Sequence, residues 1–301
     1  MNGKISNLMQ VASVRRYTVT DGAMQGLRII DCDNGKLRFL LNESKTLDMM
    51  QLYHKGQNIS FISKNGFSVR NDSFLGRFEG GMVYTCGLDS LGARDGFEMH
   101  GSLHNRVASV TKAECTAENI VIEAEIKDSA LFGKNLVLKR KVYTAIGSDS
   151  VTISDTLVNE GYRKEEFCLL YHVNAGYPLL DEGCKITADT KEIVPRTEWA
   201  KERLGLRGVI NAPVPEEEET CYFIEMNRPA VTLSNEKLGK KFTLSYSGDT
   251  LPHFIQWKSM ASGDYALGLE PCTSLLDENF RYTEIRPQEE IQFCLNLKVE
   301  D

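Results

Sequence analysis

Two segments of the chain place an ionisable side chain at the end of an apolar run. His172 lies in LLYHVNAGYPLLDEG, and Glu270 lies in YALGLEPCTSLLDEN. An imidazole with its ordinary pKa of about 6.5 can both donate and accept a proton at neutral pH. A carboxyl group between Leu269 and Pro271 should be partly desolvated, which raises its pKa and improves it as a base. The two residues suit general acid-base catalysis. A core histidine bonded to backbone groups and a strand-end glutamate in a salt bridge fit the same pattern.

A second pair of histidines, His100 and His104, lies in the stretch GFEMHGSLHNR, whose Gly and Asn content predicts a loop. Their spacing would suit zinc on a helix. Gly101 disfavours a helix, however, and the glutamate of an HExxH motif is absent. We therefore expect no metal site here. From the residues alone, hydrogen bonding within the scaffold is a more common role for such histidines than catalysis.

Other kinds of catalytic site have little support in the sequence. There is no GxSxG segment for a serine nucleophile, and no glycine-rich phosphate or dinucleotide loop opens a helix. The eight cysteines are scattered without a CxxC pair, so we expect most of them to be small buried hydrophobic residues. Paired carboxylates for glycoside hydrolysis remain an alternative if Asp181, Glu270 and Asp277 meet in space.

Composition and charge argue against two classes of binding partner, nucleic acids and membranes. The 301 residues include 35 Lys and Arg against 42 Asp and Glu, a net charge of −7, which argues against binding to a nucleic-acid backbone. No run of about 18 apolar residues predicts a membrane span, and the first residues lack the apolar core of a secretory signal. We therefore expect a cytoplasmic protein with reduced thiols and no membrane partner. The sequence does not indicate an oligomeric state.

Short runs with alternating apolar residues recur along the chain and predict strands. They are LRIIDCD, KLRFLLN, NISFIS, NIVIEAEI, LVLKRKVYTA, SVTISDTLVN, FCLLYHV, KFTLSYS, HFIQWKS, YALGLE and IQFCLNLKV. Turn pairs such as Asn34-Gly35 and Glu160-Gly161 lie between them. The pattern predicts an all-β protein, a large β-sandwich with one or two short helices, and no linker divides residues 1–301, so we expect a single domain.

Two segments interrupt the strand pattern. RTEWAKERLGL, from Arg196, contains good helix formers and predicts a helix of two or three turns. The acidic run Glu216 to Glu219, close to Pro213 and Pro215, predicts an exposed loop, because runs of like charge are usually solvated connections. An acidic binding segment is the less common alternative.

Five segments together resemble the aldose 1-epimerase (galactose mutarotase-like) family, and specifically its uncharacterised aldose 1-epimerase-like branch. In chain order they are DGAMQGLRIIDCDNG, GGMVYTCGLDSLGARDGFEMHGSLHN, LKRKVYTAIGSDSVTISDTLVNEG, LLYHVNAGYPLL and YALGLEPCT. The likeness covers nearly the whole chain. It implies a β-supersandwich, in agreement with the strand pattern.

The resemblance also implies a function. Members interconvert the α and β anomers of a free aldose without a cofactor, using a histidine as general acid on the ring oxygen and a glutamate as general base on the anomeric hydroxyl. Matched by motif, the acid is His172 and the base is Glu270. The sugar-contacting histidine is His100, in the HG motif, whereas His104 is an additional residue. The family arginine that binds sugar hydroxyls is best matched by Arg77 in FLGRFEGG.

Further substrate contacts are expected around these positions. Asn174 follows His172 in the polar cluster at the end of its strand, and aromatic platforms for a sugar face could come from Tyr177, Trp257 or Phe74. An aspartate that lies beside the sugar in mutarotases has no counterpart here, and Pro-Gln replaces the usual Pro-Gly near the C-terminus. The identity of the sugar is therefore open.

Two alternatives to a mutarotase follow from the same residues. One is a sugar-binding module that keeps the fold without the chemistry. The other is an epimerase for hexose phosphates, which would need several basic side chains converging on the phosphate. Arg77, Arg94 and Arg106 lie near the first histidine segment and are the candidates for that role.

Overall fold

Extended backbone dominates the chain, as the alternating apolar runs predict. The computed structural model describes residues 3–70 and 72–301. Within these residues the α-helices are the short α1 (Phe74–Arg77) and α2 (Glu198–Glu202), and 3-10 turns occur at Leu8–Gln10, Leu103–Asn105 and Leu204–Leu206. The prediction of an all-β protein with one or two short helices is confirmed, and the helix predicted after Arg196 is α2 with its following 3-10 turn.

The smaller of the two sheets is an antiparallel meander of consecutive strands. Its five strands are β1 (Ser13–Thr18), β2 (Arg28–Asp33), β3 (Leu37–Asn42), β4 (Asp48–His54) and β5 (Gln57–Asn58). Asn34 and Gly35 make the turn between β2 and β3, where Gly35 has a φ of 87° that suits glycine.

The larger sheet has thirteen strands. They are β6 (Val83–Leu88), β7 (Ala108–Cys115), β8 (Asn119–Ser129), β9 (Asn135–Ala145), β10 (Ser150–Asn159), β11 (Glu165–Ala175), β12 (Lys185–Pro195), β13 (Thr220–Asn235), β14 (Lys240–Tyr246), β15 (His253–Ser259), β16 (Ala266–Cys272), β17 (Thr283–Ile285) and β18 (Glu290–Glu300). The spatial order is β17-β11-β16-β15-β13-β14-β18-β10-β9-β8-β7, with β6 paired to β11 and β12 paired to β13.

Burial along the strands explains their sequence patterns. In β9, buried and exposed residues alternate from Leu138 to Thr144, as expected when one face is solvated. β11 and β16 differ, because β16 is buried throughout and β11 from Phe167 onward. Strands covered on both faces consist of nearly continuous apolar residues. A polar side chain on either strand is therefore surrounded by protein rather than by water.

The sheets pack as a sandwich around a shared apolar core. Phe39 and Leu41 of the smaller sheet belong to the same buried cluster as Leu138 and Leu297 of the larger one. Burying each such side chain stabilises the fold by about 1.5–3 kcal/mol relative to exposure. This core holds β11 and its neighbours rigidly from one side.

One predicted strand is wrong. NISFIS contributes only its first residue, Asn58, to β5, and beyond it makes isolated bridges from Ser60 to Ala175 and from Ile62 to Gly80. Ile59 and Phe61 are buried, which accounts for the alternating pattern. The backbone between them bonds to two separate partners instead of to one neighbouring strand, so no ladder forms.

The longest α-helix in the described part of the chain has five residues, whereas crossing a membrane as a helix takes about 20. All eight cysteines are free, and six of them are buried, as predicted.

Candidate active site

Four neighbouring strands bring the sequence-predicted site together on one face of the larger sheet. The strand order β11-β16-β15-β13 places His172, Glu270, Trp257 and Cys221 side by side. The register supports this, since Trp257 lies opposite Gly268 on one side and Cys221 on the other. All four side chains line one cavity of about 680 Å³. That volume suits a small-molecule site.

His172 and Glu270 are in contact at the base of this cavity. His172 Nε2 lies 3.1 Å from Glu270 Oε1, and the two residues are 5% and 2% exposed. The contact is not aligned as a hydrogen bond. Glu270 Oε1 thus has no hydrogen-bond partner among residues 3–70 and 72–301, and the other ring nitrogen, His172 Nδ1, has none there either. Buried polar atoms are usually satisfied, and unsatisfied ones in a cavity indicate a place for a polar ligand.

Burial controls the protonation of this pair. It raises the pKa of Glu270 well above its ordinary value, the negative charge of Glu219 adds to the effect, and Arg196 partly offsets it. Burial also lowers the pKa of His172 to about 3, helped by the neighbouring His100. Both shifts favour the uncharged forms, a protonated carboxyl beside a neutral imidazole. The free site thus holds one exchangeable proton between two groups.

Gly268 leaves the space in which the side chains of the site meet. A Cβ atom at this position would lie 2.5 Å from Glu270 Oε1, 2.8 Å from His172 Cε1 and 3.2 Å from Trp257 Cε3. The first two distances are shorter than real Cβ contacts. The glycine of the GLEP segment is therefore needed for close approach of these groups rather than for a turn.

His100 forms another part of the cavity wall. Its φ of 62° lies in the left-handed region, which is uncommon for residues other than glycine and often occurs at functional sites. Cys86 Sγ lies 3.4 Å from its Nδ1, and its ring lies 5.7 Å from that of His172. Burial lowers the pKa of His100 to about 4, so the imidazole is neutral at pH 7.

Aromatic side chains pack beside the histidines in the cavity wall. Phe74 and Phe78, at the start and just after the end of α1, line it together with Trp257. The Phe74 ring is 4.7 Å from that of His100, and the Trp257 ring is 5.6 Å from that of His172. Such surfaces suit the apolar face of a sugar ring.

Three of the predicted substrate contacts are not among the described residues that line the cavity. Tyr177 is 71% exposed, outside it. Asn174 is buried behind the site, where its amide nitrogen donates to the carbonyl oxygens of Gly81 and His172. Arg77 is buried and paired with Glu98. Direct sugar contacts by these three residues stay predictions.

The additional histidine, His104, belongs to a separate cluster of buried charges. Its Nδ1 lies 2.7 Å from Asp48 and its Nε2 lies 3.4 Å from Glu79. Lys45 pairs with Glu79, and Arg140 contacts Asp48 at 2.6 Å. We call these five residues the His104 cluster. Tyr84 on β6 stacks on the His104 ring at 3.7 Å and lies opposite His172 in the sheet, which connects this cluster to the site.

Five charged residues line the cavity without having been predicted as site residues, namely Lys64, Arg196, Glu217, Glu219 and Asp264. Two of them come from the acidic run that predicted a solvated loop. The signal was present in the spacing, because Glu217, Glu219 and Cys221 are two residues apart and alternate positions of an extended chain share a face.

The chemistry available here is proton transfer in a buried setting. No group of three or more His, Cys, Asp or Glu side chains in the described ranges is arranged to hold a metal ion. Asp181 and Asp277 do not line the cavity with Glu270, and Asp181 instead pairs with Lys237 at 3.4 Å. The paired carboxylates of a glycoside hydrolase are thus not assembled among the described residues that line it.

Comparison of the fold with solved structures places the chain among the galactose mutarotase-like β-sandwiches. A presumed aldose 1-epimerase from Klebsiella pneumoniae subsp. pneumoniae superposes with a TM-score of 0.85 at 20% identity, covering 97% of this chain and 86% of the other. A galactose mutarotase-like protein from Clostridium acetobutylicum gives a TM-score of 0.72 at 14% identity, covering 97% and 99%. These identities are evidence for a shared fold.

The family itself is defined by sequence. Residues 24–299 match the model of the domain of unknown function DUF4432, and the chain belongs to that family. A third structure, a presumed aldose 1-epimerase from Escherichia coli K12, has a TM-score of 0.61 at 11% identity and covers 96% of this chain and 99% of its own. No curated protein matches the chain in sequence.

Proposed function

We propose that the protein is a cofactor-free aldose 1-epimerase that interconverts the α and β anomers of a monosaccharide. The observation that carries the proposal is the buried contact between His172 and Glu270, whose unsatisfied polar atoms lie in a cavity walled by aromatic rings. Ring opening requires one group that donates a proton and another that accepts one, and the two residues are of the right types and close enough to act on adjacent oxygens.

The proposed reaction is a pair of coupled proton transfers. Glu270 takes the proton of the anomeric hydroxyl while His172 gives a proton to the ring oxygen, and the bond between the anomeric carbon and the ring oxygen breaks. The product is an open-chain aldehyde. After rotation about its C1–C2 bond, the hydroxyl formed from the ring oxygen attacks the other face of the carbonyl, and the two residues exchange roles. Atoms and charges balance without any further reactant.

The protonation states of His172 and Glu270 are compatible with this reaction. Burial favours the proton on Glu270 in the free site. The forward step needs this proton on His172, whose Nε2 lies 3.1 Å from Glu270 Oε1, so that an imidazolium faces a carboxylate. Sugar hydroxyls entering the cavity supply hydrogen bonds that the apolar walls do not, which lowers the cost of this charge separation. A carboxylate with a raised pKa is also a stronger base.

An unphosphorylated aldose is the substrate class that the charges support best. The three arginines considered for a phosphate are engaged elsewhere. Arg77 pairs with Glu98, Arg106 with Asp128 at 2.8 Å, and the Arg94 guanidinium lies 4.3 Å from the ring centre of Phe280. None of the three is among the described residues that line the cavity.

The cations that do line the cavity offer little to a phosphate. Lys64 is paired with Asp264 at 2.7 Å, and Arg196 shares the wall with Glu217 and Glu219. A phosphate would need several converging basic groups. The hexose-phosphate epimerase is thus less well supported than a mutarotase for neutral sugars.

Anomer exchange tests the proposal directly. Purified protein should accelerate the equilibration of freshly dissolved aldoses in polarimetry, across a panel of hexoses and pentoses. His172→Asn and Glu270→Gln should each lower kcat/KM by about 100-fold or more, the usual range for lost acid-base groups. Two controls outside the cavity, His253→Asn and Glu236→Gln, should keep full activity. If both site variants were as active as the native chain, the roles proposed here would be wrong.

The same experiment separates the catalyst from a sugar-binding module. A binding module would show saturable affinity for a sugar with no exchange above the spontaneous rate. The acid-base pair argues for catalysis, because binding alone does not need two neighbouring groups held in opposite protonation states. We also propose that residues 1–301 act as a single domain, since the cavity is lined by residues from Phe61 to Leu276.

A further inference from the structure

The acidic run from Glu216 to Glu219 does more than connect two elements. It leads directly into β13, and its odd-numbered members Glu217 and Glu219 line the cavity together with Cys221. Glu218 is not among the described cavity-lining residues, and its carbonyl oxygen accepts a hydrogen bond from Trp199 Nε1 at 2.9 Å. Glu217 and Glu219 therefore share the side of the run that faces the cavity, although Glu219 is exposed like Glu216 and Glu218, as an exposed loop predicts.

The cavity-facing side of the run holds a wall of the site in place. Glu219 Oε2 accepts a hydrogen bond from Trp257 Nε1 at 2.6 Å. The Nε1–H group is the only donor of the indole, which has no acceptor, so Glu219 accepts the one hydrogen bond that this ring can donate. A bond from an N–H group to a carboxylate is stronger than one to a neutral acceptor.

Trp257 in turn contacts the proposed catalytic pair. Its ring lies 5.6 Å from that of His172 at an interplanar angle of 66°. Above Gly268 the three side chains of Trp257, His172 and Glu270 converge so closely that a Cβ atom there would touch all of them. A rotation of the indole would therefore open space beside His172 and let the imidazole leave its position near Glu270.

We propose that Glu219 is a positioning residue that fixes the indole of Trp257 against His172 and so keeps the acid-base pair in register. The inference rests on the proposed function for its kinetic consequence. Glu219 acts through Trp257 and does not itself take part in proton transfer. The hydrogen bond from Trp257 gives Glu219 a role beyond that of a solvated connection, which is what the acidic run alone predicts.

A double-mutant cycle tests whether Glu219 acts on the acid-base pair through Trp257. Glu219→Ala and Trp257→Phe each remove the hydrogen bond, and each should lower kcat by about tenfold while KM changes by less than about twofold, within the range of coupling for directly bonded residues. The variant carrying both changes should be no slower than the slower single variant. Glu219→Gln should keep most of kcat, because its amide oxygen can accept the same bond. Glu218→Gln is the matched control and should be fully active.

Three kinetic outcomes would overturn the inference. If the two losses multiply in the double variant, Glu219 acts independently of Trp257. If Glu219→Ala raises KM and leaves kcat unchanged, the carboxylate binds the sugar itself. If Glu219→Gln is as slow as Glu219→Ala, the negative charge matters rather than the hydrogen bond.

A second measurement does not depend on catalysis. The chain has two tryptophans, so Trp199→Phe leaves Trp257 as the single reporter of indole fluorescence. In that background Glu219→Ala should shift the emission and lower its anisotropy, whereas Glu218→Gln should do neither. A shifted spectrum in a protein that exchanges no anomers would leave the positioning role intact and refute the proposed function. An unchanged spectrum would refute the positioning role, whatever the activity.

Discussion

His104 and His172 are both buried histidines in contact with the side chain of an acidic residue, and their surroundings drive them to opposite protonation states. Burial alone would lower the pKa of His104, but hydrogen bonds and charges from Asp48 and Glu79 raise it. The pKa of His172 falls to about 3, because burial is not offset by a charged partner of that kind. Two side chains of one type in one fold thus become a charged group in an ion-pair network and a neutral group beside the cavity.

Counter-charges explain the difference. Burial would raise the pKa of Asp48, but the His104 hydrogen bond and Arg140 keep it below its ordinary value. Arg140 also contacts Asp155 at 2.7 Å, so the charges of the His104 cluster are balanced in a network. For Glu270, the positive charge of Arg196 offsets the effect of burial only in part, so the pKa of this carboxyl is raised. The buried charges of the His104 cluster thus have partners, whereas His172 and Glu270 have too little compensation and favour their uncharged forms.

The largest expected effect comes from breaking the compensated cluster. Asp48→Asn removes the carboxylate charge between His104 and Arg140 and leaves both cations short of a partner in a buried setting. The free energy of unfolding should fall by about 3–5 kcal/mol, as for other buried ion pairs that lose one member. Urea denaturation followed by circular dichroism measures it.

The control for this variant is Asp181→Asn, which removes a carboxylate paired with Lys237 at the surface, where side chains are 36% and 62% exposed. Exposed pairs contribute about 1 kcal/mol or less, so its midpoint should hardly move. If Asp48→Asn also lost less than about 1 kcal/mol in free energy of unfolding, the ion pairs of the His104 cluster would not contribute to the stability of the fold.

The next effect concerns the uncompensated pair. Gly268→Ala places a methyl group where His172, Glu270 and Trp257 meet. The side chains must separate, and kcat/KM should fall by about tenfold or more, the scale expected when reacting groups shift by a fraction of an ångström to one ångström. Gly205→Ala, which has open space around its α-carbon, is the control. Full activity of Gly268→Ala would show that the close packing is not needed for catalysis.

The fold was largely accessible from sequence because its strands carry their own pattern. β9 alternates, and β11 and β16 are continuous apolar runs, so both kinds are visible locally. The failure at NISFIS has the opposite origin. Ile59 and Phe61 are buried as in a strand, but whether a neighbouring strand pairs with that backbone depends on residues far along the chain.

The candidate site was accessible only in part, for the same reason. His172 and Glu270 could be selected by residue type and motif, but their 3.1 Å contact depends on the pairing of β11 with β16. Glu219 was not selected, because the four consecutive glutamates predict an exposed loop, which three of them are, and only the start of β13 decides which of them also line the cavity. Composition describes a segment, whereas position on a face decides its role.

A smaller effect is expected on the free energy of unfolding when the carboxyl group of the His172–Glu270 pair is replaced. Glu270→Gln replaces a carboxyl group that burial keeps from ionising with an amide of nearly the same size. Its free energy of unfolding should stay the same or rise by about 1 kcal/mol, as is common when an active-site group is neutralised. The matched change Asp48→Asn should instead lower the free energy of unfolding. A loss of more than about 2 kcal/mol in Glu270→Gln, on the same urea curves, would show that both carboxyls are structural.

The smallest expected effect is the response to mild acid. The groups that face the pair are His100, Glu219 and Arg196, and the pKa of His100 is also lowered, to about 4. With His172 at about 3 and Glu270 raised, the pair holds one proton throughout mildly acidic pH.

Between pH 7 and pH 5.5, kcat/KM should therefore change by less than about twofold, whereas loss of a neutral imidazole with the ordinary pKa of about 6.5 would lower it by about tenfold. Polarimetry at half-unit intervals, corrected for spontaneous exchange, decides between them. A decline centred near pH 6.5 would mean that water reaches His172 as freely as an exposed histidine, and the contrast with His104 would then lie in charge alone and not in burial.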